Sequence, residues 1–419
     1  MRQTARLSIL FFLMVMTFGS LSSAQVRPNI MYGGSVDNTQ PSGVVPPCAT
    51  MGYSVETTLT LSTVPTAQWT LEFMRINRTS STVRTGYVVA RQTVTQEKRL
   101  ITYDTRTMTV IASVTINNPA VGKYTSGTQS GDTDNDVLYL ARLVNNGAIF
   151  GCTAGGGFPC VSMSKFDMFG NMLGESIAGT LATANIDDAR IDNSTLLLLG
   201  SGASRYYQTW SVPGGSFIAN SALTGIGSTG IIALGVMDGF KYVGFTDVAK
   251  TIHKLAASST TISATGTFAG NFALNNTLGA ILTFAPQASL LIGESISFGG
   301  INASRGYLSN TLVNVGSTSY VLANGSASAF GTFYDYVNNR MHGFRFTPGV
   351  AITNQILRTT PDTGVVEQAF TCSPACTGGG AVPLMDFNVN SARLFVAGND
   401  GVNNTVSRIK VCATGGPSA

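Results

Sequence analysis

Asn390-Ser-Ala-Arg-Leu-Phe-Val-Ala-Gly398 opens on turn-forming polar residues, runs through a strand-forming stretch and stops at glycine. Asn and Asp side chains bond their own backbone in turns, and Gly tolerates the conformations that end a strand, so this layout reads as one strand of a hairpin. The same layout returns at Asp192-Asn-Ser-Thr-Leu-Leu-Leu-Leu-Gly200, Asp238-Gly-Phe-Lys-Tyr-Val-Gly244, Gln287-Ala-Ser-Leu-Leu-Ile-Gly293 and Asn338-Asn-Arg-Met-His-Gly343. Weaker copies lie at Glu97-Lys-Arg-Leu-Ile-Thr-Tyr103 and Asp136-Val-Leu-Tyr-Leu140. With Leu100 and Leu394 as equivalent points, six steps give about 49 residues per unit, and a fixed period of that size marks a repeat architecture.

Several units carry a second element of the form apolar-x-basic: Met163-Ser-Lys165, Ile252-His-Lys254, Ile356-Leu-Arg358 and Val406-Ser-Arg408. It runs into a turn and another strand, as in Thr360-Pro-Asp-Thr-Gly-Val-Val366. Leu138-Tyr-Leu-Ala-Arg-Leu143 alternates with period two, and no stretch after residue 24 sustains a helical period beyond about two turns. Four short antiparallel strands in about 49 residues make one β-propeller blade. The expected fold is therefore all-β, a seven-bladed β-propeller over residues 51–416. The strand Tyr53–Leu61 precedes the first unit, and its pairing with the C-terminal strand is expected to close the ring.

Asp104-Thr-Arg-Thr-Met-Thr-Val-Ile-Ala-Ser-Val114 resembles the Asp-Thr-turn-strand segment of YVTN-type and quinoprotein-like propeller blades. Phe166-Asp-Met-Phe-Gly-Asn-Met-Leu173, followed by Asp192 through Gly200, is similar to the bacterial SBBP-type repeat. The likeness extends over about residues 86–416 and implies the propeller fold rather than a task, because propellers host unrelated functions. Vicinal cysteines, expected of a quinone-dependent dehydrogenase, are absent from the sequence.

Composition narrows the function. Of 419 residues 44% are hydrophobic, enough for a large core, yet only 11% are charged, less than half the roughly 25% of an ordinary soluble protein. The net charge of +4 is spread without any basic run, which argues against nucleic-acid binding. Arg2 and Arg6, the apolar run Leu7–Met16 and the small residues Ser20, Ser22, Ser23 and Ala24 have the three-part layout of a secretory signal peptide over residues 1–24. The apolar run is too short to span a bilayer comfortably, so a secreted, extracellular protein with no membrane span is expected. Residues 25–50, with Pro28, Pro41, Pro46, Pro47, Gly33, Gly34 and Gly43, read as a disordered leader or as an arm that docks on a neighbouring subunit and mediates self-assembly. Residues 417–419 form a short tail.

Six cysteines in an exported chain suggest three disulfides. Fifteen pairings are possible. Short separation favours Cys152 with Cys160 and Cys372 with Cys376, which leaves Cys48 with Cys412 to join the two ends. Six Asn-x-Ser/Thr sequons, at Asn77, Asn193, Asn275, Asn302, Asn324 and Asn403, are candidate glycosylation acceptors or ordinary turn asparagines.

Candidate chemistry is sparse. Asp132, Asp134 and Asp136 alternate in one acidic stretch, and Ca²⁺ needs several oxygens of that kind; the alternative is a solvated turn. Calcium is the one cofactor considered. Asp187, Asp188 and Asp192 include a possible carboxylate pair for glycoside hydrolysis, but their apolar neighbours favour a propeller turn. A Ser-His-Asp arrangement would have to use His253 or His342, the only two histidines. Gly225-Ile-Gly-Ser-Thr-Gly230 matches a dinucleotide-binding pattern but leads into another blade rather than a helix. Trp69, Trp210, Tyr206 and Tyr207 are candidates for a sugar-stacking platform or for blade cores. Tyr206 and Tyr207 are the best pair, because adjacent strand residues face opposite ways and one ring should be exposed. The expected function is that of a secreted, non-catalytic recognition or structural module for a glycan or protein; the alternative is a propeller enzyme, glycoside hydrolase or lyase, acting on polysaccharide.

Overall fold

A computed structural model describes residues 44–77, 84–117, 122–144, 160–178, 183–192, 194–202, 206–222, 232–237, 240–245, 251–255, 262–267, 280–285, 290–295, 302–309, 311–321, 328–346, 355–363, 365–371 and 384–417. Among them there are 28 strands and no helix. They form seven sheets of four antiparallel strands.

The first sheet holds β2 (Trp69–Ile76), β3 (Thr85–Gln92), β4 (Lys98–Asp104) and β5 (Thr109–Asn117). The second holds β6 (Tyr124–Asp134), β7 (Val137–Val144), β8 (Cys160–Phe166) and β9 (Met172–Ala178). The third holds β10 (Thr183–Asp192), β11 (Thr195–Gly202), β12 (Tyr206–Ser211) and β13 (Phe217–Ala222). The fourth holds β14 (Ile232–Met237), β15 (Phe240–Phe245), β16 (Thr251–Leu255) and β17 (Ile262–Thr267). The fifth holds β18 (Ala280–Ala285), β19 (Leu290–Ser295), β20 (Asn302–Ser309) and β21 (Asn314–Val321). The sixth holds β22 (Ser328–Asp335), β23 (Arg340–Phe346), β24 (Gln355–Thr359) and β25 (Val366–Thr371). The seventh breaks chain order: β26 (Met385–Asn388), β27 (Arg393–Asn399) and β28 (Asn403–Gly415) are completed by the N-terminal β1 (Cys48–Pro65).

The recurring polar-turn, strand, glycine signal belongs to the second strand of each sheet, as in β11, β15, β19, β23 and β27. The first copy is corrected by one strand. Glu97–Tyr103 lies in the third strand, β4, and the second strand of that sheet is Thr85–Gln92. Its glycine, Gly86, sits at the start of the run rather than the end, so the pattern is inverted there. The glycine is required: a Cβ at Gly86 would overlap the ring of Tyr103, its cross-strand partner, and Gly200 stands in the same relation to Tyr206.

Third and fourth strands are joined by tight turns whose first residue is a side-chain cap. Asp104 accepts from the amides of Arg106 and Thr107, and Asp167 from those of Phe169 and Asn171. The hydroxyls of Ser211, Ser309 and Thr360 accept from Ser216, Val313 and Val365 in the equivalent turns. The apolar-x-basic element is the third strand, and in two of its copies the basic end reaches the next sheet's turn. Lys165 Nζ donates to the Pro213 carbonyl at 3.2 Å, and Arg408 to the Thr105 and Arg106 carbonyls. Thr102 does the same to Met168 at 2.6 Å.

The seventh sheet has no such turn, because its third strand ends near the C-terminus and its fourth begins near the N-terminus. Cys48 pairs with Gly415 where the turn would be, and the Cys48–Cys412 disulfide spans that gap with Cα atoms 5.2 Å apart. Arg358 of the sixth sheet, which would face that turn, bonds Glu367 and Gln368 of its own sheet instead. Strand β1 also reaches back to the sixth sheet. Tyr53 Oη lies 2.6 Å from Nδ1 of the fully buried His342, whose Nε2 lies 3.3 Å from Asp335 Oδ2. The Cys48 amide donates to Asn338 Oδ1, and Asn338 donates to Asp335.

First strands of successive sheets touch in order: β2 with β6, then β10, β14, β18, β22 and β26, and β26 touches β2. A carboxylate recurs at two of these contacts, and a third sits buried on β10. Asp386 accepts from its neighbour Phe387 and, at 3.0 Å, from the Ile76 amide of the next sheet. Asp132 accepts likewise from Thr133 and from Ile191. Asp188, equally buried, accepts from Ala189 and lies 3.9 Å from Arg190. Apolar clusters fill the spaces between sheets, such as Tyr139, Ala141, Val161 and Met163 against Ile186, Leu196, Leu198 and Trp210.

Candidate functional site

In a chain with so few charges, the described residues gather several buried and partly buried ionic groups between the first and second sheets. Glu72 projects from β2, Arg91 from the end of β3 and Lys98 from the start of β4. Arg91 bonds Glu72 Oε1, and Lys98 Nζ lies 3.2 Å from Glu72 Oε2. From the second sheet Gln129 closes on both, accepting from Lys98 and donating to Glu72 at 3.4 Å each. The next shell is built on β7, β8 and β9 and on the start of β6. Arg142 stacks on the Tyr124 ring at 3.7 Å and donates to the Ile116 carbonyl and the Ser164 hydroxyl, both at 2.6 Å. Glu175 accepts from Lys123, Tyr124 and Ser162.

Burial and hydrogen bonding act on three of these groups. Burial pulls the Lys98 ammonium below its ordinary range, against the pull of Glu72. Burial lowers Arg142 too, with Tyr124 and Glu175 opposing. Burial pushes the Glu175 carboxyl upward, but the hydrogen bonds from Lys123, Ser162 and Tyr124 outweigh it and hold Glu175 below the usual carboxylate range. Four basic residues, Arg91, Lys98, Lys123 and Arg142, surround two acidic ones, Glu72 and Glu175. Arg91 and Lys123 keep 16% and 25% of their side chains exposed, so donors of this cluster reach the surface.

The residues singled out in the sequence fare differently. Tyr206 and Tyr207 are both buried, at 0% and 1% exposure, which overturns the expectation of an exposed stacking ring. They face opposite sides of β12, but both sides of an inner strand are covered, one by each neighbouring sheet. Trp210 is fully buried and Trp69 nearly so, under Arg99 at 4.7 Å. Asp132 and Asp134 belong to strand β6 rather than to a turn; Asp132 spends its carboxylate on the Thr133 and Ile191 amides, while Asp136 accepts from Thr85 at 2.5 Å. The structure therefore does not turn these three carboxylates toward one point, and among the described residues no group of three His, Cys, Asp or Glu side chains is arranged to hold a metal ion. Asp188 faces Arg190 inside the protein.

His342 pairs with Tyr53 and Asp335, with no serine in the constellation, and is closed to solvent. His253 lies 3.0 Å from the Thr265 hydroxyl. Asn77 is buried with its amide donating to the Asn135 carbonyl, Asn302 lies in β20, and Asn403 opens β28. Asn193, Asn275, Asn324, Cys152, Cys372, Cys376 and the Gly225–Gly230 pattern lie outside the described residues. Cys160 is disulfide-bonded, and Cys48 and Cys412 are bonded to each other.

The charged cluster escaped the sequence reading. Its members are scattered over seven strands or their flanks, and only the position of Glu72 between Leu71 and Phe73 hints that it faces inward.

No family model and no curated protein sequence matches this chain. Solved structures do. A chain of the "Crystal Structure of Mitotic Checkpoint Complex" is similar over 90% of this chain and 99% of its own, with TM-score 0.53 and 11% identity. The "Crystal structure of Chaetomium thermophilum Raptor" is similar over 88% of this chain, which spans 30% of the Raptor chain, with TM-score 0.56 and 10% identity. The likeness is one of fold. The repeats of this chain are propeller-like, and among the described residues no helix is long and apolar enough to cross a membrane.

Proposed function

We propose that this chain is a secreted, closed seven-bladed propeller of the YVTN and SBBP kind that acts without catalysis, as a recognition module for an extracellular glycan or protein. Contact of β26 with β2 and the completion of the last sheet by β1 support the closed ring. The observation that carries the recognition reading is the cluster between the first and second sheets. Its four basic residues outnumber its two acidic ones, and the partly exposed Lys123 and Arg91 offer donors to an acidic group from outside. Glu175 is held ionised by its partners, whereas a general acid needs a raised pKa, which supports binding rather than hydrolysis.

Glycan-array and extracellular-protein capture experiments with the full secreted chain test this reading. The expected result is retention of acidic glycans or proteins that weakens with salt and falls about tenfold in Lys123→Ala, with no hydrolysis product. Absence of any retained ligand, or release of cleaved sugar, overturns it.

A further inference from the structure

Lysine side chains are rarely buried, yet Lys98 is 2% exposed. It shares a face of β4 with Leu100, which packs with Leu138, Leu140 and Phe166 of the second sheet. Burial favours its neutral form, Glu72 opposes, and the positive charges of Arg91 and Arg142 act with burial. A neutral amine has the lone pair that a nucleophile needs, and desolvation is one way a protein supplies such an amine at neutral pH.

What Lys98 faces is a carboxamide. Its Nζ lies 3.4 Å from Oε1 of Gln129, itself 1% exposed, and the carbon of that group, Cδ, is one C=O bond of about 1.23 Å from the oxygen. Glu72 Oε2 lies 3.2 Å from the same Nζ and accepts from Gln129 Nε2 at 3.4 Å. One carboxylate oxygen thus touches both the nitrogen placed to attack and the nitrogen placed to leave, which is the position of a proton shuttle. Glu72, Lys98 and Gln129 come from β2, β4 and β6, in two different sheets, so the chain must fold before they meet.

We propose that Lys98 and Gln129 join spontaneously in an amide crosslink between the first and second sheets, with Glu72 as the proton carrier. The Lys98 ammonium gives a proton to Glu72, and the freed lone pair forms a bond from Nζ to Cδ of Gln129 while the C=O electron pair moves to Oε1. Glu72 hands its proton to Nε2 and takes a second one from Nζ. The Cδ–Nε2 bond then breaks, the C=O bond re-forms and ammonia is released. Ammonia takes the proton from Glu72 and departs as ammonium, so the carboxylate is restored and no co-reactant is consumed. Until the bond forms, Lys98 is the buried ammonium of an ion pair, and its removal is neutral or stabilising; afterwards the same removal deletes a crosslink. The reaction does not depend on the recognition reading, because Lys123 takes no part in it.

Peptide mapping of the purified full chain by mass spectrometry, after reduction of its disulfides, tests the proposal. The expected product is a linked pair of peptides holding Lys98 and Gln129, lighter than their sum by one ammonia, that forms in the folded chain and not in urea. Glu72→Gln should slow its appearance about a hundredfold or more. Gln129→Met removes the carboxamide and leaves the pairing of Glu72 with Lys98 and Arg91 in place, so it should fold, as its melting profile checks, and stay unlinked. Separate Lys98 and Gln129 peptides at full mass after prolonged incubation at neutral pH, a link of equal yield in urea, or an ammonia loss that survives in Gln129→Met overturns the proposal. A link that forms at the wild-type rate in Glu72→Gln overturns it as well.

Discussion

Glu72 and Lys98 show how unequal the two halves of a buried ion pair are. Burial already pulls Lys98 toward its neutral form, so its charge works against folding at neutral pH, and Glu72 is what makes that charge tolerable. Glu72→Ala strips the carboxylate from both Lys98 and Arg91 and is expected to cost about 3–5 kcal/mol in urea unfolding, the range for breaking a buried pair from one side. Lys98→Met removes the buried ammonium while Arg91 still satisfies Glu72, and should be neutral or stabilising. Equal losses in the two variants would show that Lys98 is not under strain from burial. Tyr206 and Tyr207 teach a related lesson at this scale. Alternation along a strand was legible, but the inference that one of two adjacent rings must be exposed assumes a sheet with one wet face. In stacked blades the inner strands are covered on both faces, and no local pattern in the sequence distinguishes the two cases.

At the scale of the element, the sequence displayed regularities whose reasons appear only between sheets. The apolar-x-basic element was visible at Lys165 and Arg408, yet its purpose, donation to carbonyls of the next sheet's turn, depends on a neighbour about one unit further along or at the other end of the chain. Arg358 bears this out by exception, since it fits the motif but turns to Glu367 where the next sheet has no turn. Asp132 was legible as an acid in an acidic stretch, but its pairing with the Ile191 amide, 59 positions away, was not. The first repeat was misplaced by one strand because β3 carries its glycine at the wrong end for the pattern. Asp386 gives this level its prediction. Its two carboxylate oxygens each accept a backbone amide, one in its own strand and one in β2, and Asn offers a single acceptor in nearly the same shape. Asp386→Asn sets an NH₂ group against an amide donor at the β26–β2 contact and should cost about 1–3 kcal/mol, read by chemical unfolding. An unchanged midpoint would mean that the carboxylate does not hold these strands together.

For the whole molecule, the decisive contact is the one between its ends. Every other sheet keeps its fourth strand by chain continuity with its third, whereas the seventh holds β1 through the β1–β28 ladder, the Glu56 ion pairs with Arg393 and Arg408, the Cys48–Asn338 and Tyr53–His342–Asp335 contacts and the Cys48–Cys412 bridge. The bridge links residues 364 apart, and a crosslink over so long a loop removes a large share of the unfolded chain's freedom, on the order of 4–5 kcal/mol in the loop-entropy account. Replacing both cysteines, Cys48→Ser with Cys412→Ser, should therefore lower stability by about that amount while the β1–β28 ladder still forms. Because the bridge stands where a turn would be, the loss should also be local. Amide exchange in β1 and β28 should quicken more than in the second sheet, whose four strands are covalently consecutive. A double variant as stable as the oxidised wild type, or one whose exchange quickens evenly across all sheets, would show that the ladder and the buried Tyr53–His342 contact close the molecule without help from the disulfide.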